Sequence, residues 1–423
     1  MTQLRRFFAA TIVTNTIVML KILHTADWHL GKRLDSFSRL QEQTEVMEEI
    51  IAIADQEEVH LVLIAGDLYD QFNPPVEAMD LFYKTVKRLS KDGRRPVIAI
   101  AGNHDAPSLI EAPSPLAQSN GIILIGRPNA RTQAFASEHF SITNTDNGFI
   151  ELTINGINFP IRLLHTAYAN EQRLKENLGA DKEDNLNRVL ADNWNHMATT
   201  YCDAKGVNLL MAHLYMNKHG TALLEEPEGE KPIKIGNADM IYTEAIPEQI
   251  QYTALGHIHG FKNLGTEEKP IVYASSPLCY SFAEAGQTKY VNIIHAQPGL
   301  PVNTESIALK GGKQLHRKSF ESVLQACDWL AAHPDTFVEL SIITDSYLSA
   351  SDIKQLYQSH EGIVYLIPIP KADAPTPGFN DSPAPIVPED VHTVFRAYFK
   401  SKYNNIEPGE ELLALLQEIT NDN

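Results

Sequence analysis

The chain has 423 residues, of which 43% are hydrophobic and 21% charged; this excludes wholesale disorder and allows either one large domain with additions or roughly two to three domains. Its 35 Lys and Arg against 53 Asp and Glu leave a formal net charge of −18. That excludes a protein gripping nucleic acid with its whole surface, since Lys and Arg supply non-specific affinity by neutralising phosphate, but it allows an enzyme whose bound divalent cations, or whose partner, reverse the sign locally.

Residues 1–18 carry two arginines and an apolar run broken by Thr and Asn. The run is too short to span a bilayer and lacks a clear small-x-small cleavage pattern. It is expected to be an upstream extension outside the fold, with Met19 as the natural start. Five short apolar runs then read as buried strands: Lys21–Ala26, Leu61–Ala65, Val97–Ala101, Val207–Ala212 and Tyr252–Leu255. Between the first two, Leu40, Val46, Ile50, Ile53 and Ala54 recur at helical spacing. Between the second and third, an amphipathic stretch closes on Gly93. The order β–α–β–α–β requires crossover connections and a layered α/β core.

Residues 135–165 alternate apolar and polar and predict further strands of a second sheet, whereas 170–205 read as helical. Glu225–Glu230 reads as an exposed acidic loop. From about 290 the texture becomes that of a compact α+β module, with helices at Ser319–Ala332 and Ala350–Ser359 and strands at Phe337–Ile343 and Ile363–Ile367. Residues 371–388 are rich in Pro and Ala and read as a linker. Two amphipathic stripes follow, one of Val391, Val394, Phe395 and Tyr398 and one of Leu412, Leu415, Leu416 and Ile419. Beyond a linker these have no adjacent core to cover, which favours docking onto a partner's helices. The expected divisions are 1–18, 19–280, 281–370, 371–388 and 389–423.

Cys202, Cys279 and Cys327 are odd in number and widely separated, which argues against a disulfide framework or zinc ribbon and suits reduced thiols in the cytoplasm. No G-x-x-x-x-G-K-[ST] occurs; Gly311-Gly312-Lys313 is followed by Gln. Any ATP dependence would therefore come from another subunit.

The chemistry concentrates in five polar clusters, each closing a predicted strand: Asp27-Trp28-His29, Gly66-Asp67-Leu68-Tyr69-Asp70, Gly102-Asn103-His104-Asp105, Ala212-His213 and Gly256-His257-Ile258-His259. Singly, each has a bland reading, because Asp and Asn favour strand ends and turns. Together they point to one rim, since ligands in open α/β folds bind beyond the carboxyl ends of strands. Carboxylates, an amide and imidazoles without thiolates suit Mn²⁺, Fe²⁺ or Mg²⁺. Two such ions about 3.5–4 Å apart clamp both oxygens of an in-line displacement at phosphorus. His24, His165, His196, His219, His316 and His333 fall outside the pattern and read as core or surface residues. Lys32, Arg33 and Arg39 follow the first cluster and read either as phosphate contacts or as a solvated loop face.

The order D-x-H, G-D-x-x-D, G-N-H-D, a lone His and G-H-x-H resembles the calcineurin-like metallophosphoesterase superfamily. The wider wording LKILHTADWHLGK, LIAGDLYD, AIAGNHD and ALGHIH is similar to the family of SbcD-type nuclease subunits of bacteria. The resemblance runs from about Met19 to the C-terminus and is tightest through residue 260. It implies a layered β-sandwich flanked by helices, a small α+β capping domain and a C-terminal helical tail for partner binding. It implies two divalent metals, Mn²⁺ by preference: Asp27, His29 and His259 on one, Asn103, His213 and His257 on the other, and Asp67 bridging. His104 would be catalytic, with Asp105 orienting its imidazole. It further implies a DNA nuclease in a homodimer within a heterotetramer with an SbcC-type ATPase, and no membrane. Competing readings are a small-molecule phosphatase or cyclic-nucleotide phosphodiesterase on the same core, or a scaffold without chemistry. GDLYDQ in place of GDxxDRG, and GNHD in place of GNHE, argue against the protein-phosphatase branch. A filled ligand set argues against the scaffold.

Overall fold

A computed structural model describes residues 19–175, 182–225, 240–345 and 348–370, and beyond them only 395–396, 408–409 and 412–413. The chain divides into two units, Met1–Pro370 and Lys371–Asn423. Within the first, two sheets form the frame. One has six strands in the order Asn303–Ala308, Tyr290–Ala296, Leu20–Thr25, Leu61–Ala65, Val97–Ile100, Ile122–Ile125. The last four run parallel, and Tyr290–Ala296 joins antiparallel to Leu20–Thr25. The other has eight strands, with Ile161–Thr166, Val207–His213, Tyr252–Gly256 and Ile271–Tyr273 parallel at its centre.

The side-chain period of two explains how the sheets stack. Along Val207–His213, Leu209 and Met211 belong to the core shared with the first sheet. Leu210 and Ala212 turn the other way and pack with Leu186, Leu190 and Trp194 of the helix Lys182–Tyr201. The first sheet is covered on its far side by Leu40–Gln56 and Val76–Leu89, which bury Val46, Ile50, Phe82 and Val86. The order is helix, sheet, sheet, helix, as the layered α/β reading anticipates.

Two expectations change. Residues 290–308, expected within the capping module at 281–370, instead complete the first sheet, with Leu20 opposite Ala296. Val291, Ile293 and Ile294 are buried in the main core; an antiparallel strand carries no sequence mark of a partner so distant in the chain. The module proper is a three-stranded parallel sheet, Gln314–Phe320, Thr336–Thr344 and Ile363–Pro370. Its helices are Val323–Ala331 and Ala350–Ser359. The first stretch of the expected helix at 319–332 is thus strand and turn. Gln314–Phe320 buries only Leu315, so the apolar alternation of a strand is missing there. Of the expected docking residues, Val391, Val394, Tyr398, Leu415, Leu416 and Ile419 lie outside the described residues, as do the linker at 371–388 and Glu226–Glu230. Phe395 and Leu412 are described only within two-residue helical fragments of the second unit, with Leu412 exposed. Among the described residues no helix is long and apolar enough to cross a membrane.

His165 is buried in the second sheet with neither ring nitrogen hydrogen-bonded. Burial pushes its pKa from 6.5 down to about 3. Between those values the unfolded chain binds a proton that the folded chain refuses, so stability falls as pH drops from 6.5 towards 3. His165→Leu removes this proton and is expected to flatten the slope of stability against pH in that window. Urea unfolding at several pH values checks it; an unchanged slope contradicts it.

Candidate metal centre

The carboxyl ends of the parallel strands of the two sheets meet, and all five clusters lie there. Asp27, Asp67 and Asn103 follow strands of the first sheet; His213 ends a strand of the second, and His257 follows the next. The turns bend sharply: Asp27, His29, Asp67 and His257 all have positive φ, at 54, 45, 47 and 108°. Such conformations cost of order 1–3 kcal/mol each in a residue other than glycine. The surrounding structure holds them. Asp27 N–H donates to the Gly66 carbonyl at 3.0 Å and His29 N–H to the Asp67 carbonyl at 2.9 Å. Gln43, buried in the helix 40–56, donates from Nε2 to the His29 carbonyl at 2.8 Å and accepts the Gly31 N–H at 3.0 Å.

Close approach explains two glycines. A Cβ on Gly66 would lie 2.2 Å from His213 Nδ1, and one on Gly102 would lie 2.1 Å from Asp67 Oδ1 and 2.3 Å from its backbone nitrogen. The carboxylates and imidazoles can therefore converge only because these positions carry no side chain.

Asp67 stands at the middle. Its Oδ2 is 3.5 Å from His29 Nε2 and 3.3 Å from His213 Nε2, and its Oδ1 accepts the His104 N–H at 2.9 Å. On one side, His29 Nε2 and His259 Nε2 are 3.0 Å apart. On the other, His213 Nε2 is 3.0 Å from Asn103 Oδ1. Asp27 Oδ1 lies 3.7 Å from His213 Nδ1 and accepts the His257 N–H at 2.8 Å, while its Oδ2, fully buried, has no hydrogen-bond partner. Two triads, Asp27–His29–Asp67 and Asp67–His213–His257, bring their ligand atoms close enough to share an ion. A third, His29–Asp70–His104, overlaps them.

The electrostatics fit cations. Burial pushes Asp27 up to about 6, against the pull of His213 and His259. Burial acts upward on Asp67 as well, but His213, His29 and His104 hold it well below the usual carboxylate range. Burial would lower His213, yet Asp67 and Asp27 raise it to about 9. His213 Nδ1 faces the Ala65 carbonyl at 2.8 Å and must donate to it, so Nε2 presents its lone pair to the oxygens of Asn103 and Asp67 unless a second proton binds. A buried group of acceptors that attracts an extra proton this strongly is one a cation would satisfy.

His104 donates from Nδ1 to the Asp70 carbonyl at 2.8 Å, and its ring lies 4.9 Å from that of His29. Asp105 departs from the expected role of orienting that imidazole. Its carboxylate accepts the N–H groups of Gly102, Leu68 and Tyr69 at 2.8, 3.0 and 3.0 Å. It ties the Gly66–Asp70 and Gly102–Asp105 turns together, which a short side chain at a strand end does readily. The expected solvent or phosphate contact at Arg39 changes as well. Lys32 Nζ binds Asp70 at 2.9 Å, and Arg39 is buried against Glu42 and the Cys279 carbonyl.

Three supporting residues escaped the sequence reading. Arg173 donates to the carbonyls of Gly102 and Asp105 at 2.7 and 2.8 Å, bracing the loop that carries Asn103 and His104. Glu284 Oε1 lies 3.3 Å from His259 Nδ1 and pairs through Oε2 with buried Lys289. Despite burial, His259 and Lys289 hold this carboxyl at about 2, so it stays ionised and fixes which face His259 turns to the centre. Gln43 left one signal, a polar residue inside an apolar helical stripe; Arg173 and Glu284 left none.

Gly102→Ala is expected to disarrange the Asp67–Asn103 approach while the sheets stay folded. Calorimetric titration with Mn²⁺ should show affinity lost by about tenfold or more, the scale of disturbances to ligand orientation, with an unchanged far-UV spectrum. Full affinity would mean that the turn yields without moving the donors.

A calcineurin-like phosphoesterase family model matches residues 20–261. The chain is 31% identical over 408 residues to SbcD, the D chain of the nuclease SbcCD of Bacillus subtilis (strain 168), covering 95% of this chain and 97% of that one. Similar solved structures include a dimetal phosphatase from Danio rerio, at 12% identity and TM-score 0.36 over 69% of this chain and 99% of that one. Another is a Thermus thermophilus protein, at 10% identity and TM-score 0.34 over 68% and 99%. The chain belongs to the calcineurin-like phosphoesterase family.

Proposed function

We propose that the chain is a Mn²⁺-dependent DNA nuclease subunit, cytoplasmic, acting with an SbcC-type ATPase in DNA end processing, repair, recombination and replication. Its substrates are duplex ends, shortened 3′ to 5′, and single strands or hairpins, cut internally. The observation that carries the reading is the position of Asp67, whose Oδ2 lies within 3.5 Å of ring nitrogens from two separate donor sets. Members of this family use divalent metals, and the likeness to a nuclease subunit over nearly the whole chain favours a phosphodiester of DNA as substrate.

Asp27, His29 and His259 would hold one ion, Asn103, His213 and His257 the other, and Asp67 both. When bound, the ions would supply positive charge for the phosphodiester and lower the pKa of a water. The chain's own residues do the rest. The Asp70 carbonyl fixes the His104 ring through Nδ1, so that Nε2 is the atom through which it stabilises the transferring phosphoryl group or protonates the leaving oxygen. Arg173 and Asp105 keep the turn bearing Asn103 and His104 in register with Asp67. The module spanning Gln314–Pro370 acts as the cap that positions DNA. The stripes Val391, Val394, Phe395, Tyr398 and Leu412, Leu415, Leu416, Ile419 dock on the ATPase, in a homodimer within a heterotetramer. A partner that carries most of the basic surface accounts for a nuclease at −18.

The test is full-length protein with Mn²⁺ and end-labelled linear duplex DNA, beside a simple phosphomonoester. Stepwise shortening of the duplex is expected, abolished by chelation and by Asp67→Asn. His104→Ala should lower the rate about 10²–10⁴-fold, the usual contribution of a positioned acid or base. Monoester turnover with intact DNA, in the presence and absence of the ATPase and ATP, would replace this reading with a phosphatase.

A further inference from the structure

Beside the clustered histidines and carboxylates lies a cleft of about 380 Å³ that reaches Asn103. Its wall includes Phe72, Tyr168, Arg127, Arg173 and Lys175, and no carboxylate. In a chain with a net charge of −18, three cationic side chains line the cleft with no acidic one among the lining residues. Such a wall attracts phosphate.

The aromatic residues add a second property. Phe72 follows Asp70 by two positions and is 42% exposed, a large apolar ring left at the rim of a polar site. Arg173 lies 6.0 Å from the Phe72 ring centroid and 4.8 Å from that of Tyr168. Its bonds to the Gly102 and Asp105 carbonyls fix it in place, so the two rings border a rigid cation. Arg127 pairs with Glu111 and remains partly exposed. An exposed ring beside fixed positive charge is the arrangement on which unpaired bases stack while their phosphates are neutralised. The volume sits at the low end of ligand-sized cavities. It suits one nucleotide.

Resting on the nuclease reading above, we infer that this cleft receives the nucleotide adjoining the scissile phosphate in an unpaired state. Its base stacks on Phe72, and its outer phosphate sits between Lys175 and Arg127, displacing Glu111 from the latter. The cleft thereby makes local strand separation a condition for cutting.

The experiment compares full-length wild type with Phe72→Ala, Phe72→Trp and Lys175→Gln, with Mn²⁺. The substrates are a fluorescein-labelled single-stranded oligonucleotide and methyl p-nitrophenyl phosphate, a diester without a base. For Phe72→Ala the ratio of kcat/KM on the oligonucleotide to that on the small diester is expected to fall about ten- to a hundredfold, the scale of one lost base–aromatic stack. The fall should lie mainly in KM, with matching weakening of binding by fluorescence anisotropy, and Phe72→Trp should restore it. Lys175→Gln should reduce the salt dependence of oligonucleotide binding by about one phosphate contact. Oligonucleotide cleavage by wild type with an unchanged ratio and anisotropy in Phe72→Ala overturns the cleft assignment and leaves the nuclease reading standing. Hydrolysis of the small diester alone, with the oligonucleotide neither bound nor cut by wild type, overturns both.

Discussion

The backbone of Ala65–Asp67 in the first sheet lies so close to Gly102, His213 and Gly256 that a single added carbon would collide with it; a Cβ on Gly256 would lie 1.9 Å from the Ala65 carbonyl oxygen. The rest of the site depends on that seam. Parallel strands end there from both sheets, so each short turn delivers its polar side chains into one small volume. The left-handed conformations at Asp27, His29, Asp67 and His257 are the local cost of turning so sharply. The main-chain bonds between Asp27, His29 and the Gly66–Leu68 segment absorb it.

That crowding sets the electrostatics. Carboxylates and imidazoles driven together without water shift one another strongly, and they do so in opposite directions: Asp27 and His213 up, Asp67 down. Desolvation alone would raise both acids, so the divergence reports the geometry, with Asp67 nearest the rings. Divalent charge answers the same imbalance. This reconciles an acidic chain with an anionic substrate, because the positive potential need exist only at the seam and in the cleft beside it.

Much of the surrounding structure serves to hold angles. Arg173, Asp105, Gln43 and Glu284 each hold a turn or a ring from behind. Their bonds are to backbone carbonyls, backbone N–H groups or a second imidazole nitrogen, which fixes direction more than it adds stability. Asp105 shows how sequence proximity misleads. It follows His104 directly, yet its carboxylate faces the neighbouring turn, where the Gly102, Leu68 and Tyr69 N–H groups hold it.

Apolar runs bounded by Asp, Asn, His and Gly marked the five central strands and the rim where their polar termini gather, because buried parallel strands must be continuously apolar and must end in turn-forming residues. The amphipathic period marked the helices that cover the first sheet for the same reason. Those signals are local, and they suffice for Asp27, Asp67, Asn103, His213 and His257 to be picked out together. Partners distant in sequence were decided only by the tertiary structure. Strand Tyr290–Ala296 pairs with Leu20–Thr25 across some 270 residues of chain. Arg173 reaches the loop at Gly102, and Glu284 reaches His259. A lone arginine or glutamate in a polar stretch carries no periodicity, and nothing in its neighbours says which distant carbonyl or imidazole it will meet. Composition and spacing thus determined which residues gather at the seam; packing of one sheet against the other decided their distances, their charge states and what braces them.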